Sequence, residues 1–313
     1  TGYLNNLNFR LNLVSWLGYF SIMQHSILLI LILIATQSAA GCGKLCDIYE
    51  IPWWKTATET DLITELAVGN LVMERNEFGA TALHYAARHG SAKHVKILLE
   101  AGANVNALTL SGDTPLIGAA ESTKNVEILL EAGANIHAQN RLGDTALFHA
   151  SYAEDPNNLM MLLAAGSEVN QSNHSGWTPL HYAARMGSPS VVEALLNAGA
   201  NVDTQSEYEM TPLLNWTDGW MYPQTLNLLL GAGADVNAKG LGGDTVLHTI
   251  ISFKLYSAPD AEESILTLLR YGANALIPND EDKTPWDYAQ TEQLKGTQAY
   301  WALNDARYRQ MDD

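Results

Sequence analysis

The sequence predicts an all-α solenoid, elongated and curved, built from stacked helix-turn-helix units joined by β-hairpin loops. Three observations predict it. A Thr-Pro-Leu-like tetrapeptide returns seven times, as TALH from Thr81, TPLI from Thr114, TALF from Thr145, TPLH from Thr178, TPLL from Thr211, TVLH from Thr245 and TPWD from Thr284. The steps of 33, 31, 33, 33, 34 and 39 residues fit a unit made of a turn and two antiparallel helices. Gly102, Gly133, Gly166, Gly199, Gly233 and Gly272 each stand 12 residues before the next such Thr, where a glycine just past a helix C-terminus takes the left-handed conformation. Finally, apolar pairs recur at helical spacing, as in Val95, Leu98 and Leu99 or Val192, Leu195 and Leu196. These stripes must pack one unit on the next, because no single unit buries its own face.

Residues 1 to 41 hold no acidic residue and only Arg10 as a full charge. Ile27 to Ala35 is an unbroken apolar run, too short to span a bilayer alone, with the small residues Ser38, Ala39, Ala40 and Gly41 behind it. This segment reads as a signal peptide or membrane-targeting segment, with an uncleaved anchor as the other reading. Residues 42 to 59 form a linker holding Trp53 and Trp54, which pack on the N-terminal cap of the repeats or touch a lipid interface. The repeat domain runs from 60 to 310. It opens on a half repeat, where Gly69 again lies 12 residues before Thr81 and Leu62, Ile63 and Leu66 would face inward as that cap. Six repeats come next, and Tyr300, Trp301 and Leu303 mark a closing helix that serves as the C-terminal cap.

Within each unit the Thr is placed to cap the first helix, Pro or Ala takes the first helical position, and Leu enters the core. His84, His181 and His248 at the last tetrapeptide position are read as hydrogen-bonded ties between adjacent units. Repeat five has Glu209 at the glycine position of its tip and one extra residue in the segment Asn215 to Pro223, and repeat six gains six residues around Phe253 to Pro259. Exposed aromatics in these irregular turns are further candidates for a binding surface.

The tetrapeptides, the glycine ruler and the period resemble the ankyrin repeat over roughly residues 60 to 310. That resemblance implies a concave face, formed by hairpin tips and first helices, that binds other proteins. Carried onto this sequence, the partner-binding candidates are Phe78, Tyr85, Arg88, Arg141, Tyr152, Trp177, Tyr182, Arg185, Tyr208 and Trp220, since large aromatics and arginines dominate interface hot spots. Trp177, at a central hairpin tip, is expected to point into solvent. Tyr85 and Tyr182 have packing on neighbouring first helices as their alternative role.

Ala39-Ala40-Gly41-Cys42 resembles the bacterial lipobox, which would make Cys42 a lipidation site; plain cleavage after Ala40 would instead leave Cys42 and Cys46 to form a short disulfide. The chain is then expected in the periplasm or on the inner or outer membrane as a lipoprotein, with secretion as the alternative. Its 17 basic and 34 acidic residues, a net charge of −17, repel a phosphate backbone, so nucleic acid is a poor partner. A basic protein surface would be steered toward the same field, and solubility is the other reading of that acidity.

Chemistry is sparse. The chain lacks G-x-S-x-G, H-E-x-x-H and G-x-x-x-x-G-K, and the five-residue spacing of His84, His89 and His94, broken by Gly90, does not suit one metal. Asp280 and Asp282 suggest a calcium loop, but Pro285 occupies the place where that loop needs Gly. The sequence therefore reads as a non-enzymatic module of the bacterial envelope that captures a partner protein stoichiometrically, as an inhibitor or immunity-type protein, with no cofactor and membrane contact only through its leader or lipid. A secreted effector that binds host proteins is the alternative, and an enzyme or small-ligand receptor near repeats five and six is a third reading.

Overall fold

The structure is a computed structural model that describes residues 51–68, 72–119, 122–186, 188–219, 221–254, 260–290 and 294–311. The leader, Cys42 and Cys46, Trp220, Tyr256 and the side chain of Phe253 lie outside the described residues. Contacts divide the chain between Leu71 and Val72 into two units. In the first, α1 (Ile51–Thr56) falls inside the expected linker and α2 (Glu59–Val68) comes directly after it. The Thr58 amide and hydroxyl both donate to Asp61 Oδ2, at 2.8 and 2.7 Å, and so fix the start of α2. Leu62 is fully buried, whereas Ile63, expected to face inward, is 54% exposed. Adjacent residues on a helix point about 100° apart, so a face built on Leu62 and Leu66 turns Ile63 away.

The second unit is an all-α solenoid of seven helix pairs with no strand among the described residues. They are α3 (Ala82–His89) with α4 (Ala92–Glu100), α5 (Pro115–Gly118) with α6 (Thr123–Glu131), and α7 (Ala146–Ala150) with α8 (Asn157–Ala164). Next come α9 (Pro179–Met186) with α10 (Pro189–Asn197), α11 (Pro212–Trp216) with α12 (Pro223–Gly231), α13 (Val246–Thr249) with α14 (Ala261–Arg270), and α15 (Pro285–Ala289) with α16 (Gln298–Met311). First helices pack on first helices and second on second. Val95, Leu98, Val126, Leu129, Leu159, Leu162, Val192 and Leu195 are fully buried between the stacked second helices, each worth roughly 1.5–3 kcal/mol of transfer free energy.

Sequence dictates where each helix begins and ends. The tetrapeptide threonines stand in extended conformation before the first helices, and Thr114, Thr211 and Thr284 accept the amide three residues on. Gly102, Gly133, Gly166, Gly199, Gly233 and Gly272 close the second helices at φ between 84° and 102°. The hairpin tips are closed alike in every repeat: the amide of Asn140 donates to the Asp144 carbonyl and that of Gly143 to the Asn140 carbonyl, both at 3.0 Å. A Cβ at Gly143 would meet the His174 amide nitrogen at 2.7 Å, because consecutive tips are joined backbone to backbone. Glu209 takes the same left-handed conformation, at φ 57°, without a glycine's freedom.

Buried polar groups set the register between repeats. His84, His181 and His248 each accept the amide of their own Thr at Nδ1. Their Nε2–H groups donate to the next tip, at the carbonyls of Asp113, Met210 and Lys283, over 2.9–3.0 Å. The expected tie between units is thus formed, and the Nδ1 acceptor fixes the tautomer. A second tie runs the other way: Asn140, Asn173 and Asn279 use Nδ2 to reach Asp113, Asp144 and Asp244 of the preceding tip at 2.9, 2.8 and 2.7 Å. Asn125, almost fully buried on α6, donates to the Ala87 and Gly90 carbonyls at 2.9 and 3.1 Å and so completes the end of α3.

Repeats five and six meet differently. Leu214 stands where the tying histidine would be and Gly240 where the tying asparagine would be, so among the described residues neither tie joins these two tips. The extra length of repeat five brings Gly219 so close to the Arg185 carbonyl that a Cβ would lie 1.8 Å from its oxygen. In repeat six, α13 runs directly into a π-helical turn, Ile250–Lys254, that absorbs part of the insertion.

Burial pushes the His181 imidazole down to about 4 and lowers His84 and His248 as well. Below its ordinary value of 6.5 the unfolded chain binds protons that these folded histidines exclude, so stability falls as pH drops from about 6.5 toward 4 and is flat in this respect above it. The His181 contribution amounts to about 3 kcal/mol across that window. Urea titrations at a series of pH values should show this loss, and H181Q should be less stable at neutral pH yet show a shallower slope between about pH 6.5 and 4.5. An unchanged slope would assign the acid sensitivity to carboxylates instead.

Candidate functional site

The residues named as partner contacts separate into two groups along the array. At the first repeat Phe78 is 63% exposed on its tip, Arg88 is exposed at the end of α3, and Tyr85 is half-buried with its hydroxyl accepting from Asn76 Nδ2 at 3.0 Å. In repeats three to five, Tyr152, Trp177, Tyr182, Arg185 and Tyr208 come together, and the Arg141 carbonyl lies 3.1 Å from His174 Nδ1 on the adjacent tip. Trp220 lies outside the described residues.

The second group is organised by ring contacts across three repeats. Tyr182 on α9 meets Phe148 of α7 edge-on at 5.4 Å and Tyr152, just past α7, at 4.8 Å. Trp177, on the tip before α9, packs edge-on against His181 at 5.1 Å and lies 6.2 Å from both Tyr182 and Tyr208. Aromatic contacts of this geometry contribute about 0.5–1.5 kcal/mol each beyond buried area. The inner edge, at Phe148 and His181, is buried. The outer edge carries Tyr152 at 43% and Tyr208 at 52% exposed.

This arrangement corrects one expectation. Trp177 does not point into solvent: it is half-buried, its ring leaning back over α9 onto a histidine and two tyrosines. Gly176 takes the same left-handed turn as the other tips, at φ 76°, and Trp177 stands two residues before α9, within reach of the rings on that helix. The alternative role of Tyr182, packing on a neighbouring first helix, is observed. Asn215, a first-helix position of the same face as Tyr182 and Arg185, is also buried and donates to the His181 carbonyl at 2.9 Å.

Burial raises the phenol of Tyr152 well above its ordinary range, with Tyr182 adding to the effect, and burial followed by the Asp144 charge raises Tyr182. Both hydroxyls stay protonated through the physiological range and can donate. Arg185 stands exposed beside them and favours their ionised forms only weakly. The two hydroxyls are hydrogen-bonded to one another, and the surface offers ring faces, this phenol pair and a guanidinium at its edge. Among the described residues no group of three or more His, Cys, Asp and Glu is placed to hold a metal ion.

Two features of the face go beyond the sequence expectations. Leu142 is 65% exposed on the third tip, beside exposed Leu110 on the second, which extends the apolar character of the tips beyond the aromatics. Asparagine and tyrosine nine residues apart mark a tip tied to its own first helix, as in Asn76–Tyr85, Asn173–Tyr182 and Asn279–Tyr288 at 3.0, 3.5 and 3.4 Å. That spacing is a legible signal in the sequence.

A family model described as ankyrin repeats in three copies matches residues 56–140 and, again, 122–206. Residues 56–206 therefore carry ankyrin repeats, a scaffold that serves as a protein-protein interaction module. No curated protein matches the chain.

Packing and exposure now separate the two tip aromatics. Trp177→Ala should lower stability by about 1–3 kcal/mol through lost ring contacts and burial, whereas Tyr208→Ala, on an open tip, should stay within about 0.5 kcal/mol of the parent. Thermal or urea unfolding of both variants tests this. Equal losses would show that Tyr208 is as much a packing residue as Trp177.

Proposed function

We propose that this ankyrin-repeat chain acts by stoichiometric capture of a partner protein, which docks on the tips and first helices of repeats three to five. The observation that carries the reading is the aromatic surface of Tyr152, Trp177, Tyr182 and Tyr208 with Arg185 at its edge. Its inner half is rigidly packed and its outer half lies open, the preorganised arrangement that makes aromatics energetically dominant in interfaces. Phe78, Arg88 and Arg141 would make outlying contacts. The net charge of −17 supports a basic partner, since opposite fields speed encounter. Capture of this kind is the action of an inhibitor or immunity-type protein.

The apolar run Ile27 to Ala35 and the small residues before Cys42 support an envelope location, with residues 1–41 as the export segment and Cys42 as the anchor. On that reading Cys42→Ser releases the chain from the membrane fraction, and the parent protein carries acyl mass. A variant that still sediments with membranes, together with a parent lacking acyl mass, would replace the lipid anchor with an uncleaved apolar one.

Affinity capture from envelope extracts, with titration of the captured protein, tests the binding face. Tyr208→Ala should weaken the complex about thirtyfold, or 2 kcal/mol, while the fold melts as before. Unchanged affinity in both Tyr208→Ala and Arg185→Ala would move the interface away from these repeats.

A further inference from the structure

Along the second helices of repeats six and seven, a groove of about 890 Å³ runs between α14 and α16. The two helices are parallel. Glu262, near the start of α14, accepts from the Ala299 amide at the start of α16, at 3.2 Å, and Gln310, near the end of α16, reaches the Ala273 carbonyl just past the end of α14, also at 3.2 Å. Asp260, Glu262 and Glu263 line the groove where both helices begin, and Arg270 and Arg309 line it where they end. Between lie Leu266, Leu269 and Ala302, all half-buried, with the small Ala302 opening the floor.

The polarity is built in, and its basic end is unspent. Arg270 donates to the Thr267 hydroxyl at 2.7 Å, and Arg309 Nε reaches only the Asp305 carbonyl, at 3.4 Å, so among the described residues neither guanidinium is paired with a carboxylate. Glu262 to Arg270 spans about 12 Å at 1.5 Å per residue, so a molecule neutralising both ends must be long and must carry charges of opposite sign at its two ends. A helix lying in the trough between two parallel helices satisfies the packing, its side chains entering the groove at an axial separation near 8–10 Å. If it runs antiparallel to α14 and α16, its acidic first turn meets the arginines and its basic last turn meets the carboxylates. That is the charge order a stable helix already prefers, and the three macrodipoles then alternate.

We propose that this groove is a second docking site, independent of the tip face, that takes one amphipathic helix of a partner protein: acidic at its start, apolar along the buried face and basic at its end. The probe is a labelled, side-chain-bridged helical peptide of about 15 residues with Glu in the first turn, Leu at i, i+3, i+7 and i+10, and Lys in the last turn. Its control has the Glu and Lys positions exchanged. Fluorescence anisotropy with the full chain should show the first peptide binding at least about tenfold more tightly than the control. Glu263→Lys combined with Arg270→Glu and Arg309→Glu, all at exposed positions, should invert that order, and Tyr208→Ala should change nothing. Ala302→Arg should abolish binding with the melting curve retained. Equal binding of the two peptides, no binding of either, or a preference that survives the triple charge exchange would overturn the proposal, whatever becomes of the tip face.

Discussion

Everything in the repeat array depends on polar groups that are buried between neighbours and satisfied only there. Apolar stacking holds the helix pairs together, but it is non-directional and would tolerate sliding. The His84, His181 and His248 rings accept from their own repeat and donate to the next, while Asn140, Asn173 and Asn279 reach back to the preceding aspartates. A shift of one residue would break these bonds inside a low-dielectric interior, where an unmade bond costs about 1–3 kcal/mol. Register is therefore imposed by a few hydrogen bonds, and the hydrophobic area supplies the bulk of the cohesion.

The ties are distributed unevenly, and that unevenness organises the molecule. Repeats one and two share a histidine tie, two to four use asparagine, and four and five use histidine again; repeats six and seven have both. Among the described residues, repeats five and six have neither at their tips, and both depart from the usual repeat length: repeat five presses Gly219 on Arg185 of repeat four, and repeat six has a π-helical turn after α13. Their lower loops are still joined, the Asp235 amide donating to Asp203 Oδ1 at 2.9 Å. This is a seam pinned along one edge, and local opening concentrates where backbone and side-chain ties are fewest.

The aromatic surface lies on repeats three to five, just before that seam, where each junction keeps one tie. Trp177 gains its position from the His181 and Tyr182 rings beneath it, and His181 is itself the tie to repeat five. Surface and scaffold are thus the same residues seen from two sides. A partner covering Tyr208 and Tyr152 would also meet Trp177 and Tyr182, rings already held by packing, so those two have little side-chain entropy left to lose on binding.

Much of this is legible in the residues themselves. The threonines, the tip and helix-end glycines and the apolar pairs specify local conformations, because capping, left-handed φ and helical periodicity act over a few residues; hence the helix pairs and the histidine ties fall where the spacing puts them. The direction of a large side chain at a tip is different. Repeat position alone makes Trp177 project, yet it lies on α9; Ile63 turns outward, and Asn215 goes into the core. Each outcome depends on what the surrounding elements offer at that point: a histidine and two tyrosines beside Trp177, and the His181 carbonyl beside Asn215. The groove between α14 and α16 is likewise absent from any local pattern, since residues 37 apart come together only once two helices have packed in parallel. Sequence by itself determined the repeat and its histidine ties, because the caps, turns and helix spacing behind them are short-range; only the tertiary structure decided which side chains are surface and which are packing, because burial is a property of neighbours that no single repeat contains.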